Sequence, residues 1–367
     1  MPCNNIRYNK HRTDAKKSNQ RKDLAYMREF IGFKKGINLG GWLSQSSLRK
    51  EHLETFIVEK DLENIASMGA DHIRLPIDYP LIETEEGSPI EQGYDYIDRC
   101  VSWCDKYGLN MILDLHKTAG YVFDDVENSR GFFHNDVLQE RFLSLWDKLS
   151  ARYGKYDFIA FDILNEIVDP NVNDIWNDLS AKAIQRIRAH APNNWILLGG
   201  TCYNSINTIK DLLPQEDEKI VYSFHFYEPY IFTHQGAYWD ARMSDDFRTS
   251  YPQTAAQFRD ISDTTFDGAF SGIFKNMEDD FIGEQMLGSL FEEAVSISKS
   301  RNTPLYCGEY GVINVADPAS AIKWHRDIHA VFEKHQIGRA LWSYKEMDFG
   351  LVDEHYKEYF KELTTLL

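Results

Sequence analysis

The segment Phe158–Glu166, with the sequence FIAFDILNE, opens as a short apolar run rich in β-branched and aromatic residues. This composition is typical of a strand that is buried on both faces of a parallel sheet. The run ends in two polar side chains, Asn165 and Glu166, and an α/β barrel carries its catalytic groups at such C-terminal strand ends. Taken alone, however, an Asn-Glu pair is equally compatible with a helix cap followed by a solvated acid.

A second segment, Pro304–Gly311, repeats this arrangement further along the chain. Its sequence, PLYCGEYG, is another short apolar run that contains a single acidic residue, Glu309, near its end. Two strands that end in this way predict a pair of carboxylates that face each other across a cleft.

The composition limits the classes of function that this chain can have. At 367 residues it can bury a large core as one barrel or as two ordinary domains. The formal net charge of −17 argues against a nucleic-acid partner, which needs a basic surface. No apolar run approaches the roughly 20 residues that span a bilayer, so we expect no membrane association. Aromatic residues make up 14% of the chain, and their faces are suited to stacking on sugar rings.

The N-terminal segment differs from the rest in charge, because residues 1–35 hold ten Lys or Arg and three acids. It lacks the apolar core of a secretory signal peptide. We predict a basic leader over residues 1–33, either poorly ordered or added during cloning, and one catalytic domain over 34–367. An unstructured extension is favoured over a nucleic-acid-binding tail. The compartment stays open between the cytoplasm and secretion with a signal that this sequence lacks.

The five cysteines are scattered and odd in number, so they do not form a disulfide framework. Cys100 and Cys104 lie one helical turn apart, but no further Cys or His stands at zinc-site spacing. The sequence therefore predicts neither a metal site nor a cofactor.

Strand and helix patterns alternate eight times after the leader. The predicted strands are Gly36–Leu39, His72–Leu75 (broken by Pro76), Met111–Leu115, Phe158–Leu164, Trp195–Gly199, Ile220–Phe226, a strand at Leu305, and Arg339–Ser343. Single helices are predicted between these strands, including Thr55–Met68 and Glu284–Ser300, and the helix Glu354–Leu367 is predicted to close the chain. This alternation predicts an α/β fold, a single-domain (β/α)8 TIM barrel. A doubly wound sheet would need a Gly-rich phosphate loop after the first strand, and Gly40-Gly41-Trp42 does not match one.

The long segment Glu228–Asp280 follows the sixth strand. It exceeds the usual length of a βα loop, so we place it over the cleft as part of the binding surface.

Polar or aromatic residues stand at the C-terminal ends of most predicted strands: Arg74, His116, Asn165, Glu166, His225, Tyr227, Glu309 and Trp342. Each has an ordinary structural interpretation, such as a surface ion pair for Arg74 or a core histidine for His116. Their occurrence together at one end of successive strands favours a functional site over these separate explanations.

Two carboxylates without a metal or cofactor motif are suited to glycoside hydrolysis, in which one is protonated and the other is ionised. Arg74 and Tyr227 can donate hydrogen bonds to Glu309 and favour its ionised form, which makes it the candidate nucleophile. Glu166, close to that negative charge, would have a raised pKa and act as the general acid. No Ser or Cys nucleophile stands in a setting that supports acyl transfer.

The remaining candidates are predicted to hold the sugar. Asn165 can bond a 2-hydroxyl, and the two histidines can supply neutral donors and acceptors. Trp342 offers an apolar face for stacking. Trp42 and Trp239, the latter in the long insertion, are further candidate substrate-binding residues.

Six of these segments together resemble glycoside hydrolase family 5, within the wider group of retaining (β/α)8 glycosidases. They are Ile73–Pro76, Leu113–His116, Leu164–Glu166, His225–Tyr227, Gly308–Gly311 and Leu341–Tyr344. The resemblance implies an acid/base role for Glu166, a nucleophilic role for Glu309 and supporting roles for the other residues. Ile167 departs from the proline that many members have after the acid/base glutamate, which concerns the loop rather than the chemistry.

The resemblance also implies a substrate class, since this chain is most similar to the cellulase-like endoglucanases that cleave β-1,4-glucan. The segment Gly36–Trp42 also resembles the exo-β-1,3-glucanases of the family, and a β-mannanase is a third possibility. A catalytically silent carbohydrate-binding barrel is the alternative outside enzymes, although such a protein would usually have lost one glutamate. We expect a monomer that binds β-glucan oligosaccharides or polysaccharides.

Overall fold

Eight parallel strands, β1 to β8, form a closed barrel in the order of the sequence. The computed structural model describes residues 27–124, 131–275, 277 and 281–367. The strands are β1 Lys35–Asn38, β2 His72–Asp78, β3 Asn110–Lys117, β4 Ile159–Asp162, β5 Ile196–Gly199, β6 Ile220–Phe226, β7 Leu305–Tyr310 and β8 Gly338–Leu341. β1 pairs with both β2 and β8, which closes the barrel. The predicted (β/α)8 fold is confirmed.

Helices follow the strands on the outside of the barrel. The longer ones are Glu59–Ser67, Glu91–Tyr107, Asp136–Tyr153, Asn173–His190, Ala255–Phe266, Glu292–Arg301 and Pro318–His335. Shorter helices are Lys50–Thr55, Tyr79–Ile82, Tyr230–Thr233, Glu284–Ser289 and Phe360–Thr365, and 3-10 turns lie at Pro170–Val172, Ile206–Asp211, Gly272–Phe274 and Glu354–Tyr356. The four residues Thr201–Asn204 form a turn with positive φ at Cys202, Tyr203 and Asn204. Among the described residues, no helix is both long and apolar enough to cross a membrane.

The interior of the barrel changes from apolar to polar along its axis. The N-terminal layer is a buried cluster formed by Phe30, Phe33, Ile112, Ala160, Leu197, Val221, Tyr306 and Ala340. Because side chains two residues apart in a strand face the same side, the next interior position is Asp114 on β3, Asp162 on β4 and Ser223 on β6. The core therefore supports a buried polar layer that lies directly beneath the C-terminal ends of the strands.

Residues 27–33 belong to the barrel, which corrects the predicted domain boundary. Phe30 and Phe33 are buried, and their rings stack 4.2 Å apart and close the N-terminal end of the barrel. The domain thus begins before residue 34, because these apolar side chains cover the bottom layer of the core. Residues 1–26 of the predicted leader lie outside the described residues.

Several predicted elements differ in extent. Three predicted helices are each divided in the structure: Thr55–Met68 at residues 56–58, Glu284–Ser300 at residues 290–291, and Glu354–Leu367 at residues 357–359. β2 continues through Pro76, where a break was expected. The backbone groups of Arg74 and Asp78 face the β1 side, where Arg74 accepts from Leu39 and Asp78 donates to Leu43. Pro76 lies between them beyond the end of β1, so its missing N–H leaves no ladder bond unmade.

The insertion after β6 buries aromatic side chains that are part of the main apolar cluster of the protein. The helix Ala255–Phe266 buries Phe258, which stacks on Phe274 at 5.1 Å. The helix begins with a capping box between Thr254 and Gln257. Residues 276 and 278–280 of the predicted insertion lie outside the described residues.

Candidate active site

Arg74 is the centre of the buried polar layer. Its guanidinium is fully buried and lies 3.1 Å from Asp114 Oδ2, 3.1 Å from Asp162 Oδ2 and 2.8 Å from Glu309 Oε1. It also donates to Asn38 Oδ1 at 3.1 Å and to Asn165 Oδ1 at 2.8 Å. Burial alone would lower the pKa of Arg74, but the three carboxylates raise it above its ordinary value. The cation is therefore permanent, and it orients groups from four strands.

A bulge in β7 aims Glu309. The pairing of β6 with β7 shifts between Phe224 and His225, so that Phe224 lies opposite Cys307 while His225 lies opposite Glu309. Gly308 is the extra residue, and its carbonyl accepts from Asn38 Nδ2 at 2.9 Å. A Cβ at Gly308 would lie only 3.0 Å from His225 Nε2, so glycine allows the bulge and the histidine to coexist.

Glu309 and Glu166 lie close together and have different environments. Glu309 accepts from Arg74 at 2.8 Å and from Tyr227 Oη at 3.1 Å. Burial, followed by the charge of Glu309, raises the pKa of Glu166 well above its ordinary value. Burial raises the pKa of Glu309 too, but Arg74 opposes this and Tyr227 supports the ionised form. Of the two, Glu309 therefore ionises first and Glu166 keeps its proton.

His225 lies between the two glutamates. Its Nδ1 is 2.7 Å from Glu166 Oε1 and 3.5 Å from Glu309 Oε2. Burial lowers the pKa of His225 far below its ordinary value, so the ring is neutral. Potential ligand atoms of Glu166, His225 and Glu309 all lie within 4.8 Å of one another, a set that in residue type could also hold a metal ion. The hydrogen bonds among them account for this spacing.

His116 and Trp342 form a stacked pair at the same end of the barrel. Their rings lie 5.9 Å apart with an interplanar angle of 5°. His116 Nδ1 is 2.7 Å from Asp114 Oδ2, and burial lowers the pKa of His116 to about 4. The indole of Trp342 lies against Gly40, where a Cβ would approach it to 2.9 Å. Gly40 is therefore the residue that leaves room for this ring.

Asn165 and the loop after Glu166 are fixed by backbone contacts. Asn165 N–H donates to Leu115 O at 3.2 Å, and its side-chain oxygen is occupied by Arg74. The Tyr121 hydroxyl donates to the Glu166 carbonyl and accepts from Val168 N–H at 3.0 Å. Tyr121 thereby fixes the backbone on both sides of Ile167, the position at which this chain lacks a proline.

Trp42 does not contact the cleft, which corrects its predicted substrate-binding role. It is fully buried, its indole N–H donates to Leu53 O at 2.9 Å, and its ring stacks on Trp103 at 6.1 Å. After the turn at Gly40 and Gly41 the side chain points into the space between the barrel and the first helices. Its role is packing.

Trp239 lies at the edge of the site on the insertion, and 46% of its surface is exposed. Its ring is 6.2 Å from His234, which in turn lies 4.8 Å from Tyr227. Phe349 of the loop after β8 completes this group, 6.4 Å from Trp239. The exposed ring of Trp239 is thus connected through His234 to Tyr227, the residue that donates to Glu309.

The structure brings nine of the ten predicted site residues, all except Trp42, to this end of the barrel. Sequence reasoning missed Asn38, Asp114 and Asp162, which form the layer beneath. The available signal was their position, since each is a polar residue inside an otherwise apolar strand. A polar side chain facing a barrel interior needs a partner, and Arg74 was the residue able to serve all three.

Known proteins are similar to this chain over most of its length. A family model described as cellulase (glycosyl hydrolase family 5) matches residues 45–348. Endoglucanase C of Acetivibrio thermocellus is 40% identical over 342 residues, which cover 92% of this chain and 98% of the relative. Cellodextrinase A of Ruminococcus flavefaciens is 42% identical over 309 residues, covering 84% of each chain. A glucan 1,3-beta-glucosidase of Pichia angusta is 30% identical, but over only 48% of this chain and 44% of the relative.

Solved structures share the fold. Endoglucanase Cel5A of Thermotoga maritima superposes with a TM-score of 0.71 at 24% identity, covering 91% of this chain and 96% of that one. The cellulose synthase subunit Z of Clostridioides difficile gives a TM-score of 0.73 at 22% identity, covering 91% and 99%.

Proposed function

Because the chain belongs to the cellulase family, glycosyl hydrolase family 5, we propose that it cleaves internal β-1,4 bonds of glucan chains with retention of configuration. The observation that supports this most is the pair Glu166 and Glu309, whose nearest oxygens lie within 4.8 Å of each other. Retaining glycosidases hold their two carboxyl groups roughly 5–5.5 Å apart, whereas inverting ones leave room for a water at about 6.5–9.5 Å.

In the first step Glu309 attacks the anomeric carbon while Glu166 protonates the departing oxygen. Tyr227 and Arg74 hold the two oxygens of Glu309, which restricts the carboxylate to one orientation. A neutral His225 that donates from Nδ1 to Glu166 Oε1 leaves Oε2 to carry the acidic proton. In the second step Glu166, now ionised, takes a proton from water, which releases the sugar from Glu309.

The surrounding side chains hold the reacting sugar. Arg74 occupies the oxygen of Asn165, so Nδ2 is the group left to donate to a hydroxyl. Trp342 offers the indole surface beside His116 for stacking. Positive charge that develops at the anomeric centre is stabilised directly by the ionised carboxylate of Glu309.

The mechanism predicts the stereochemistry of the product. Two inversions at the anomeric carbon should give the β-anomer first, with the α-anomer appearing only by later mutarotation. Proton NMR during the first minutes of hydrolysis of a cello-oligosaccharide measures this. Early release of the α-anomer would show that Glu309 does not form a glycosyl-enzyme.

The substrate class is tested by a panel of polymers. Relatives named endoglucanase match nearly the whole chain, which supports β-1,4-glucan over the β-1,3-linked alternative. We expect carboxymethyl-cellulose and mixed-linkage lichenan to yield a range of oligosaccharides, and laminarin and mannan to be poorer substrates. Release of glucose alone from laminarin would instead indicate the exo-acting β-1,3 alternative.

Trp239→Ala tests the aromatic face on the insertion. Loss of one stacking surface is worth about 1 kcal/mol, so kcat/KM for long cello-oligosaccharides should fall roughly fivefold, mainly through KM. A short aryl glycoside that does not reach the insertion should be unaffected. Trp239→Phe is the matched variant and should keep most of the activity. Equal losses on long and short substrates would mean that Trp239 acts on Tyr227 through His234 instead.

A further inference from the structure

Asp114 is the buried carboxylate that links Arg74 to His116. One oxygen, Oδ2, lies 3.1 Å from Arg74 Nη2 and 2.7 Å from His116 Nδ1. The other oxygen, Oδ1, is buried and has no hydrogen-bond partner among the described residues. The proposed mechanism gives Asp114 no direct contact with the sugar.

The shared oxygen determines where the proton of His116 lies. The guanidinium cation of Arg74 lies 3.1 Å from Oδ2 in an ion pair, and a positive charge at that distance disfavours a proton on this oxygen. Any proton on Asp114 would then occupy the unpartnered Oδ1, and Oδ2 would still accept from its second neighbour. His116 is neutral, because burial lowers its pKa to about 4, and a neutral imidazole carries one N–H. That N–H must be at Nδ1, where the acceptor is.

The other ring nitrogen, Nε2, consequently carries a lone pair and can only accept a hydrogen bond. His116 Nε2 is buried and has no partner within the described part of the chain. The ring lies parallel to Trp342, the surface proposed to stack on the sugar, and the charge of Glu309 acts on it. A buried acceptor without a protein partner in this position is matched by a substrate hydroxyl.

We propose that Asp114 is a positioning residue that holds His116 in the Nδ1–H tautomer, so that Nε2 accepts a hydrogen bond from a hydroxyl of the reacting sugar. The substrate half of this inference rests on the proposed function. The tautomer half does not, because it concerns the free protein.

The control is Asp162, the second aspartate that contacts Arg74. It lies 3.1 Å from the Nε atom of Arg74 and is buried to a similar extent, but none of the histidines in the described ranges forms a hydrogen bond or ion pair with it. Substitutions at Asp162 therefore remove a carboxylate from the same guanidinium without touching the tautomer of His116. Any difference in activity between matched variants at positions 114 and 162 therefore measures the effect of the contact between Asp114 and His116.

The experiment combines nitrogen NMR with kinetics in four variants. In the wild type, histidine-selective 15N labelling should show that His116 is protonated at Nδ1 and unprotonated at Nε2 at neutral pH. Asp114→Asn keeps an acceptor oxygen, so it should retain this tautomer and lose no more kcat/KM than Asp162→Asn. Asp114→Ala removes the acceptor, so Nε2–H should appear and kcat/KM should fall roughly tenfold further than in Asp162→Ala.

Two results would overturn the proposal. One is protonation of Nε2 in the wild-type protein, which needs no variant and so stands even if Asp114→Ala fails to fold. The other is an equal kinetic loss in the two alanine variants. A correct tautomer in a protein without glucanase activity would leave the assignment of Asp114 intact and reject the proposed function alone.

Discussion

Glu309→Gln is expected to lower kcat on cello-oligosaccharides by roughly 10⁴-fold or more, because an amide oxygen cannot form the glycosyl-enzyme ester. The fold should persist. Arg74 keeps its contacts with Asp114 and Asp162 at 3.1 Å each, so the cation stays compensated when Glu309 loses its charge. The near-identical shape of glutamine should also preserve binding, and calorimetry with cellotetraose should give a Kd close to the value estimated for the wild type.

A glutamate that is buried elsewhere in the barrel provides the control for this substitution. Glu83 is 2% exposed and pairs with Arg141 at 2.8 Å, in the segment between the helices Tyr79–Ile82 and Glu91–Tyr107. Glu83→Gln should lower Tm but leave kcat within about twofold of the wild type. Ordinary turnover by a folded Glu309→Gln protein would remove Glu309 from the role of nucleophile.

The barrel could be predicted from the sequence because its signals are local. Each strand is a short apolar run, and Gly69 and Gly108 follow two of the helices where a backbone of positive φ is needed. The errors in the predicted helix boundaries arise because the prediction uses only these local signals. The residues 56–58 continue the apolar periodicity of their neighbours, and only packing against the barrel shows that the chain turns there.

The site was predictable where strand ends are visible in the sequence. Glu166 and Glu309 follow apolar runs, and topology then brings them together. The bulge at Gly308 was not predictable, because it exists only in the pairing of β7 with its neighbours. Trp42 was misassigned for a related reason. A tryptophan after a glycine turn can point toward the cleft or away from it, and the Leu53 carbonyl that decides this comes from another segment.

The layer beneath the site shows why residue type alone is insufficient. Asp114 and Asp162 lie within apolar runs, where a single acidic residue interrupts the strand pattern but does not by itself indicate a site. Burial raises the pKa of both to about 7 although the Arg74 cation lowers each, and this balance becomes visible only once the guanidinium is placed beside them. One cation that is shared by three acids is a property of the closed barrel and not of any strand.

Glu166→Ala is expected to separate the acid from the nucleophile. Cleavage of cello-oligosaccharides should fall by roughly 10³-fold or more, because their sugar leaving groups need a proton as the bond breaks. An aryl cellobioside with an acidic phenol needs little protonation, so formation of its glycosyl-enzyme should be nearly unaffected. Hydrolysis of that intermediate should still be slow, since the same residue must deprotonate water. A burst of phenol followed by slow turnover is the expected time course.

Azide should restore turnover of the aryl substrate by this variant, because it attacks the intermediate without a base. The truncated side chain leaves space beside His225, whose Nδ1 lay 2.7 Å from Glu166 Oε1 and can donate to the anion. Attack from that side on a sugar held by Glu309 should give the β-glycosyl azide. Glu166→Gln is the matched control, since it removes the acid but fills the space, and it should respond weakly. Glu309→Ala should give the α-azide or no product, because azide would then replace the nucleophile on the opposite face. A β-azide from both alanine variants would show that the roles of Glu166 and Glu309 are wrongly assigned.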